Sequence, residues 1–349
     1  FCKRKCNYCD FVSYAGKEDL IEDYVEALCK EIEQVPPLPL GEGSGVRGFE
    51  TIFFGGGTPT LLEPKHFENI LSKVQCPMSN VEISMEANPG TSDKAKLKTL
   101  RNLGINRLSI GAQSFNNQHL KTLGRIHTAK DIYIVYDNAR SAGFDNINLD
   151  LIFALPNQTL EEWKSDLETA LHLTPLHLSI YSLQIEENTP FHKQGIAKDE
   201  ELDLAMYEYA IETLTAAGFT HYEISNFAKP GFECKHNIVY WRNGNYLGIG
   251  AGAHSHLNGK RWANPDSIEE YLEQRTSNID TGIVTVTDQR ETIFMGLRLL
   301  DGLEIEKFKG FEKEITELTK DELLEKEAGK YKLTRRGLYL ANEVFAQFV

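Results

Sequence analysis

The sequence contains no run of eighteen apolar residues, so it carries no membrane-spanning helix. It also lacks basic charge: 37 Lys and Arg face 51 Asp and Glu, a formal net charge of −14. So acidic a chain argues against a nucleic-acid duplex or an anionic membrane as partner. Enough lysine and arginine remain for local contact with a small anion. Cysteine is sparse, at positions 2, 6, 9, 29, 76 and 234 of 349, an uneven spacing unlike a disulfide framework. An initiating methionine is missing as well; the chain opens on Phe1. What is present is an ordinary hydrophobic fraction of 41%, and the length suffices for one barrel-sized domain plus a smaller one.

Three of the six cysteines crowd into the first nine residues as Cys2-x3-Cys6-x2-Cys9. A short loop of this kind brings its thiolates to one inorganic centre. Four thiolates would close a zinc site or fill every corner of a cubane; three leave one iron of a cubane open to an outside ligand. The alternatives are a partial zinc site or unrelated thiols, but zinc usually wants a second paired knuckle, and Cys29 and Cys76 stand alone. Thiols that hold a cluster need reducing conditions, which points to the cytoplasm. Further on, the strand 51–54 runs into Gly55-Gly56-Gly57-Thr58-Pro59, where a ligand can lie against bare backbone. In these two stretches the chain resembles the radical S-adenosylmethionine (SAM) superfamily. The resemblance implies a [4Fe–4S] cluster on Cys2, Cys6 and Cys9 with SAM on the open iron. It also implies an aromatic contact from Tyr8 and the SAM amino group on the glycine segment.

Hydrophobic periodicity predicts helices over 18–34, 93–103, 117–123, 129–142, 160–171 and 199–217, with Cys29 on or beside the apolar side of the first. Strands are expected at 51–54, 81–86, 107–111, 147–153 and 177–183. Alternation of this kind predicts a parallel sheet with helices outside, an α/β fold. The resemblance makes it a partial (β/α)6 barrel whose first strand is missing, as expected of a chain that starts late. Ligands of parallel barrels sit at the carboxyl ends of the strands. Those ends carry 55–58, Glu86, Gln113, Asp150 and Gln184, with Arg125 twelve residues beyond Gln113. A carboxylate such as Glu86 or Asp150 inside a core-like strand is costly unless something meets it.

The segments EISMEANPG, NRLSIGAQSF, LGRIH and INLDLIFALPNQT narrow the resemblance to the oxygen-independent coproporphyrinogen III oxidase family, over nearly the whole chain. By that resemblance Gly56, Gly57, Thr58, Glu86, Gln113, Arg125 and Asp150 contact SAM, and a second SAM is an open matter. Two departures point away from the oxidase. Phe11 stands where its loop has a fourth cysteine. The segment His236-Asn237-Ile238-Val239-Tyr240-Trp241 matches the HNxxYW motif of the family's haem chaperone branch. On the residues alone, His236 suits either a haem iron or a hydrogen bond in the core beside a structural tryptophan. The resemblance favours haem contact at His236, Asn237, Tyr240 and Trp241, with Cys234, His254 and His256 as further candidates. Gly248, Gly250 and Gly252 lack the spacing of a dinucleotide fingerprint.

The expected organisation is a barrel core over 1–200, a barrel-covering extension over 201–286 that includes HYEISNFA, and a small winged-helix-like α+β domain over 287–349. Lys307, Lys309, Arg335 and Arg336 are too few to make a DNA face there. The leading function is a haem chaperone that holds a cluster, SAM and haem and delivers haem to acceptor proteins. The second is the oxidase, an anaerobic radical decarboxylation, and the third SAM cleavage on an unrelated substrate. Implied partners are haem or a porphyrin, an acceptor protein, and an electron donor such as flavodoxin or ferredoxin. The sequence leaves a homodimer open.

Overall fold

Four strands of this protein alternate apolar and polar side chains, and the polar side faces inward. On one face Ile83, Met85, Leu108, Ile110, Ile147, Leu149, Leu178 and Ile180 are almost wholly buried. On the other, Glu86, Ser109, Asp150 and Ser179 line a cavity. The apolar side faces the helices, and the polar side is left for a ligand.

The computed structural model describes residues 1–35, 49–74, 80–277, 285–286 and 288–349, without the side chains of 275–277. Most of the proline- and glycine-rich stretch 35–48, Cys76 and residue 287 lie outside the described residues. After the cysteine loop come α1 (Ile21–Gln34), β1 (Thr51–Phe54), α2 (Pro64–Lys73), β2 (Glu82–Ala87) and α3 (Lys94–Asn102). Then follow β3 (Arg107–Gln113), α4 (Asn117–Thr122), α5 (Ala129–Ala142), β4 (Asn146–Phe153), α6 (Leu160–His172) and β5 (His177–Ser182). Strands β1 to β5 lie parallel in chain order, with Ser84 opposite Arg107, Ser109 opposite Asn148 and Asp150 opposite Ser179. This is the half-barrel of the expected α/β class. Local signals start its helices: Thr159 and Glu162 form a reciprocal capping box on α6, as do Thr128 and Asp131 on α5. Cys29 is buried on α1, as packing.

The next elements are α7 (Pro190–Lys193), α8 (Glu200–Ala216), β6 (Thr220–Glu223), β7 (Asn226–Ala228) and α9 (Lys235–Trp241). The HYEISNFA segment, expected to cover the open side, does not. It folds as the hairpin β6–β7, and β7 adds antiparallel to β5, giving the order β1-β2-β3-β4-β5-β7-β6. The free edge of β5 carries unpaired backbone groups, and the hairpin satisfies them. The cavity is walled instead by α9, which packs on β1. Its N-terminus lies over the buried Glu82 carboxylate, which accepts from the amides of Lys235 at 3.4 Å and His236 at 3.5 Å.

A second sheet joins β8 (His254–Leu257), β9 (Lys260–Ala263) and β10 (Thr285–Val286), with α10 (Ile268–Ser277) between β9 and β10. Gly248 packs so closely there that an added Cβ would lie 2.0 Å from the His254 carbonyl oxygen. The chain ends with α11 (Gln289–Gly296), β11 (Leu303–Glu304), α12 (Glu312–Lys320), β12 (Leu324–Glu327), β13 (Lys330–Leu333), α13 (Arg335–Tyr339) and α14 (Ala341–Ala346). Strands β11, β13 and β12 form an antiparallel sheet in that order. Helix α11 stops at Gly296, which packs closely against the Leu303 side chain. Among the described residues no helix is long and apolar enough to cross a membrane.

Candidate functional site

The cysteine loop is pinned to the strand ends by its backbone. Cys2 N donates to Tyr14 O (2.8 Å), Thr58 N to Phe1 O (2.7 Å), Asn7 N to Leu123 O (2.9 Å) and Phe191 N to Asn7 O (3.1 Å). Gly57 is required by this contact: a Cβ there would sit 2.4 Å from Phe1 O. Gly56 has φ +101°, with open space where a side chain would be. Thus one glycine admits the cysteine loop and its neighbour leaves backbone bare toward the cavity.

Cys2, Cys6 and Cys9 are free thiols lining a single cavity of ≈ 640 Å³, a size suited to small-molecule and cofactor sites. Cys2 Sγ lies 3.6 Å from Thr58 Oγ1, and Arg125 Nη1 donates toward Cys6 Sγ at 3.6 Å. Burial pushes the Cys9 thiol up, more than the backbone hydrogen bond at Phe11 lowers it. Among the described residues no three His, Cys, Asp or Glu side chains converge as ligands of one metal ion. Three thiols that share a wall without meeting at a point fit the corners of a larger inorganic centre better than a zinc ion. Phe11, at the position of a fourth cysteine, is 61% exposed.

The structure brings every SAM-directed residue to this cavity: Tyr8, Gly56, Gly57, Thr58, Glu86, Gln113, Arg125, Asp150 and Gln184 all line it. Glu86 accepts from the Gly56 amide at 3.1 Å. Burial first, then the charge of Asp150, raises its carboxyl to about 8. Asp150 is also raised by burial, against hydrogen bonds that include Ser109 Oγ at 3.0 Å and Asn148 Nδ2 at 2.8 Å. Two carboxyls held up in this way favour a ligand cation or hydroxyl beside them. Gln113 reaches the site through a register shift on β3 and a φ of 67°, which re-aims its side chain. Burial raises Tyr8 despite the Arg125 charge beside it.

Sequence reasoning missed Asn88. Its Nδ2 donates to Thr58 Oγ1 at 2.7 Å, and its Oδ1 accepts from Arg125, whose Nη2 also reaches Gly111 O at 2.8 Å. It thereby ties the glycine segment to the arginine. It follows a strand end as Glu86 nearly does, and the same rim rule would have found it.

Of the haem-directed residues, His236, Asn237 and Tyr240 line the cavity, as does the further candidate Cys234. His236 stacks on Phe53 at 4.9 Å with ring planes 17° apart. Its Nδ1 lies 2.8 Å from Thr51 Oγ1 and its Nε2 2.9 Å from the Tyr240 hydroxyl. Burial, then the Arg107 charge, lowers it to about 4, so the ring is neutral near pH 7. Trp241 is turned away: the Arg298 guanidinium sits 4.3 Å over its ring, on the side of the C-terminal elements. His254 and His256 belong to the second sheet and do not line the cavity; His256 Nδ1 is 2.8 Å from Gly244 O.

Residues 1–170 match the Radical SAM superfamily and residues 287–340 the HemN C-terminal domain. The chain is 37% identical to the heme chaperone HemW of Lactococcus lactis subsp. lactis (strain IL1403), across 100% of this chain and 95% of that one. It is 42% identical to the heme chaperone HemW of Escherichia coli (strain K12), across 73% and 67% respectively. Its fold matches coproporphyrinogen III oxidase (HemN) from Escherichia coli, a radical SAM enzyme, with a TM-score of 0.82 at 22% identity, covering 100% of this chain and 88% of that one.

Proposed function

The chain belongs to the radical SAM superfamily and, within it, to the family of the heme chaperone HemW, and from that premise we propose that it binds haem and passes it to acceptor proteins. Superfamily membership implies a [4Fe–4S] cluster and SAM. One observation carries the proposal: the three thiols, the polar rim and the His236–Phe53 wall belong to one cavity, so a metal centre, an adenosyl ligand and a flat macrocycle would be neighbours. Cys2, Cys6 and Cys9 would hold the cluster. Bound there, it supplies an open iron position for the amino-acid end of SAM and an electron for SAM cleavage. Gly56, Gly57 and Thr58 would seat the SAM amino group beside Glu86, while Gln113, Asp150, Gln184 and Tyr8 line the rest of its pocket. Arg125 keeps positive charge against Cys6. His236, Asn237 and Tyr240, on the lining of the same cavity, would face the macrocycle. A reducing compartment such as the cytoplasm keeps such thiols free, and an electron carrier such as flavodoxin or ferredoxin would reduce the cluster.

The test is an anaerobic haem titration of the cluster-reconstituted protein. Saturable one-to-one binding, with haem passing on to an apo-acceptor, is the expected result; no saturable binding overturns the proposal. His236→Ala is expected to weaken haem binding by about tenfold or more, the scale of one lost strong contact. Trp241→Phe, off the cavity, is expected to leave it unchanged. Equal losses in both variants would place the macrocycle elsewhere.

The raised Glu86 carboxyl predicts a pH dependence with a definite sign. A carboxyl at about 8 in the folded protein and near 4.5 when unfolded binds a proton on folding between those values. That part of the stability is present at low pH and is lost as pH rises toward 8. A SAM amino group that donates to Glu86 favours the ionised form, so SAM binding expels the proton. SAM affinity is therefore expected to rise by about tenfold from about pH 6 to 7. The Glu86→Gln variant is expected to bind more weakly with a flatter profile. An equal slope in both proteins would show that another group titrates.

A further inference from the structure

Arg107 opens β3 at the inner end of the cavity, among side chains that the SAM and haem assignments do not use. It is 2% exposed and lines the cavity. Its Nε has no hydrogen-bond partner, and among the described residues no carboxylate oxygen lies within 4.0 Å of its nitrogens. Glu82, Asp150, Cys234 and Tyr222 act on its charge without an ion pair, and Glu82 is turned to the start of α9 and to Cys234 Sγ at 3.8 Å. Asp150 is engaged by Ser109 and Asn148. Arginine stays charged in proteins, and an unpaired buried charge is costly unless an anion meets it. Apart from these acids, the wall beside it is partly flat, made by Phe53, His236 and Tyr240.

We infer that Arg107 is the counter-ion for a carboxylate of the ligand that fills the inner end of this cavity. A guanidinium fork takes a carboxylate through two parallel N–H donors, a geometry lysine cannot reproduce. The inference rests on the proposed function for its source, a propionate of haem lying against the Phe53–His236 wall. The aminoacyl carboxylate of a SAM molecule is the other source with the same chemistry.

Three probes separate these outcomes on the anaerobic, cluster-reconstituted protein: haem, haem dimethyl ester and SAM. Arg107→Gln is expected to weaken haem binding by about tenfold or more, the scale of a lost charge-assisted contact. The wild-type protein should bind the dimethyl ester about as weakly as the variant binds haem, and combining both changes should add little. Arg107→Lys should recover only part of the loss. If Arg107→Gln instead lowers SAM affinity and spares haem, the carboxylate is that of SAM. Unchanged affinity for haem and SAM in Arg107→Gln overturns the inference. Should that variant not fold, the comparison of haem with its ester in the wild-type protein decides, and equal affinity overturns the propionate assignment. If the wild-type protein binds neither form of haem, the proposed function fails, while the SAM arm still tests Arg107.

Discussion

Replacing Cys6 by alanine is expected to abolish the cluster, with iron and sulfide falling to background after anaerobic reconstitution. Two remaining thiolates leave two corners of a cubane without protein ligands. The loss extends beyond one ligand, because Arg125 Nη1 is directed at Cys6 Sγ from 3.6 Å and would lose that partner. Cys9 is pushed up by burial and depends on the metal itself to lose its proton. Cys29→Ala is the matched control. That thiol is buried among the core residues of α1, so its removal should lower stability modestly and leave iron intact. Full iron content in Cys6→Ala would remove the cysteine loop from the site.

Gly57→Ala should have the second-largest effect, although the added group is one methyl. Its Cβ would stand 2.4 Å from Phe1 O and 2.9 Å from Phe1 N. Both are backbone atoms with no rotamer to yield, so the cysteine loop must shift and the 2.7 Å bond from Thr58 N to Phe1 O breaks. Overpacking of this kind costs about 1–3 kcal/mol. Most of it falls on the loop rather than on the half-barrel, so the variant should fold, with a near-normal melting temperature, yet assemble little cluster. The matched change at Gly56 meets no atom within 4 Å and suffers only from its φ of +101°; its defect should appear in SAM affinity more than in iron content. Equal iron loss in both would show that the glycine segment acts as one unit.

Much of this site could be read from the sequence because its parts obey local rules. The cysteine trio is contiguous, the glycines abut a strand, and Glu86 and Asp150 are charges placed inside apolar runs. The α/β class follows from helix periodicity and from caps such as Thr159 with Glu162. What escaped depends on contacts between distant segments. The hairpin β6–β7 looks like any strand pair, and only the open edge of β5 decides that it extends the sheet. The aim of Gln113 comes from a register shift that no residue pattern announces. Trp241 belongs to a motif that reads as one surface, yet a seven-residue helix has two sides, and Arg298 from the C-terminal elements claims the tryptophan. Arg107 looked like the ordinary polar start of a strand until its lack of a direct ion pair could be seen.

The two hydrogen bonds on His236 also bear on how haem would leave. Any iron that takes Nε2 first displaces the Tyr240 hydroxyl, and turning the ring gives up Thr51 and the stack on Phe53. At about 0.5–1.5 kcal/mol for each hydrogen bond, ligation would be roughly five- to 150-fold weaker than at a vacant imidazole. For a storage protein that would be a defect. For a carrier it would supply an internal competitor: the tyrosine hydroxyl beside the nitrogen would reclaim it as the iron left, so release would be an exchange rather than a bare dissociation.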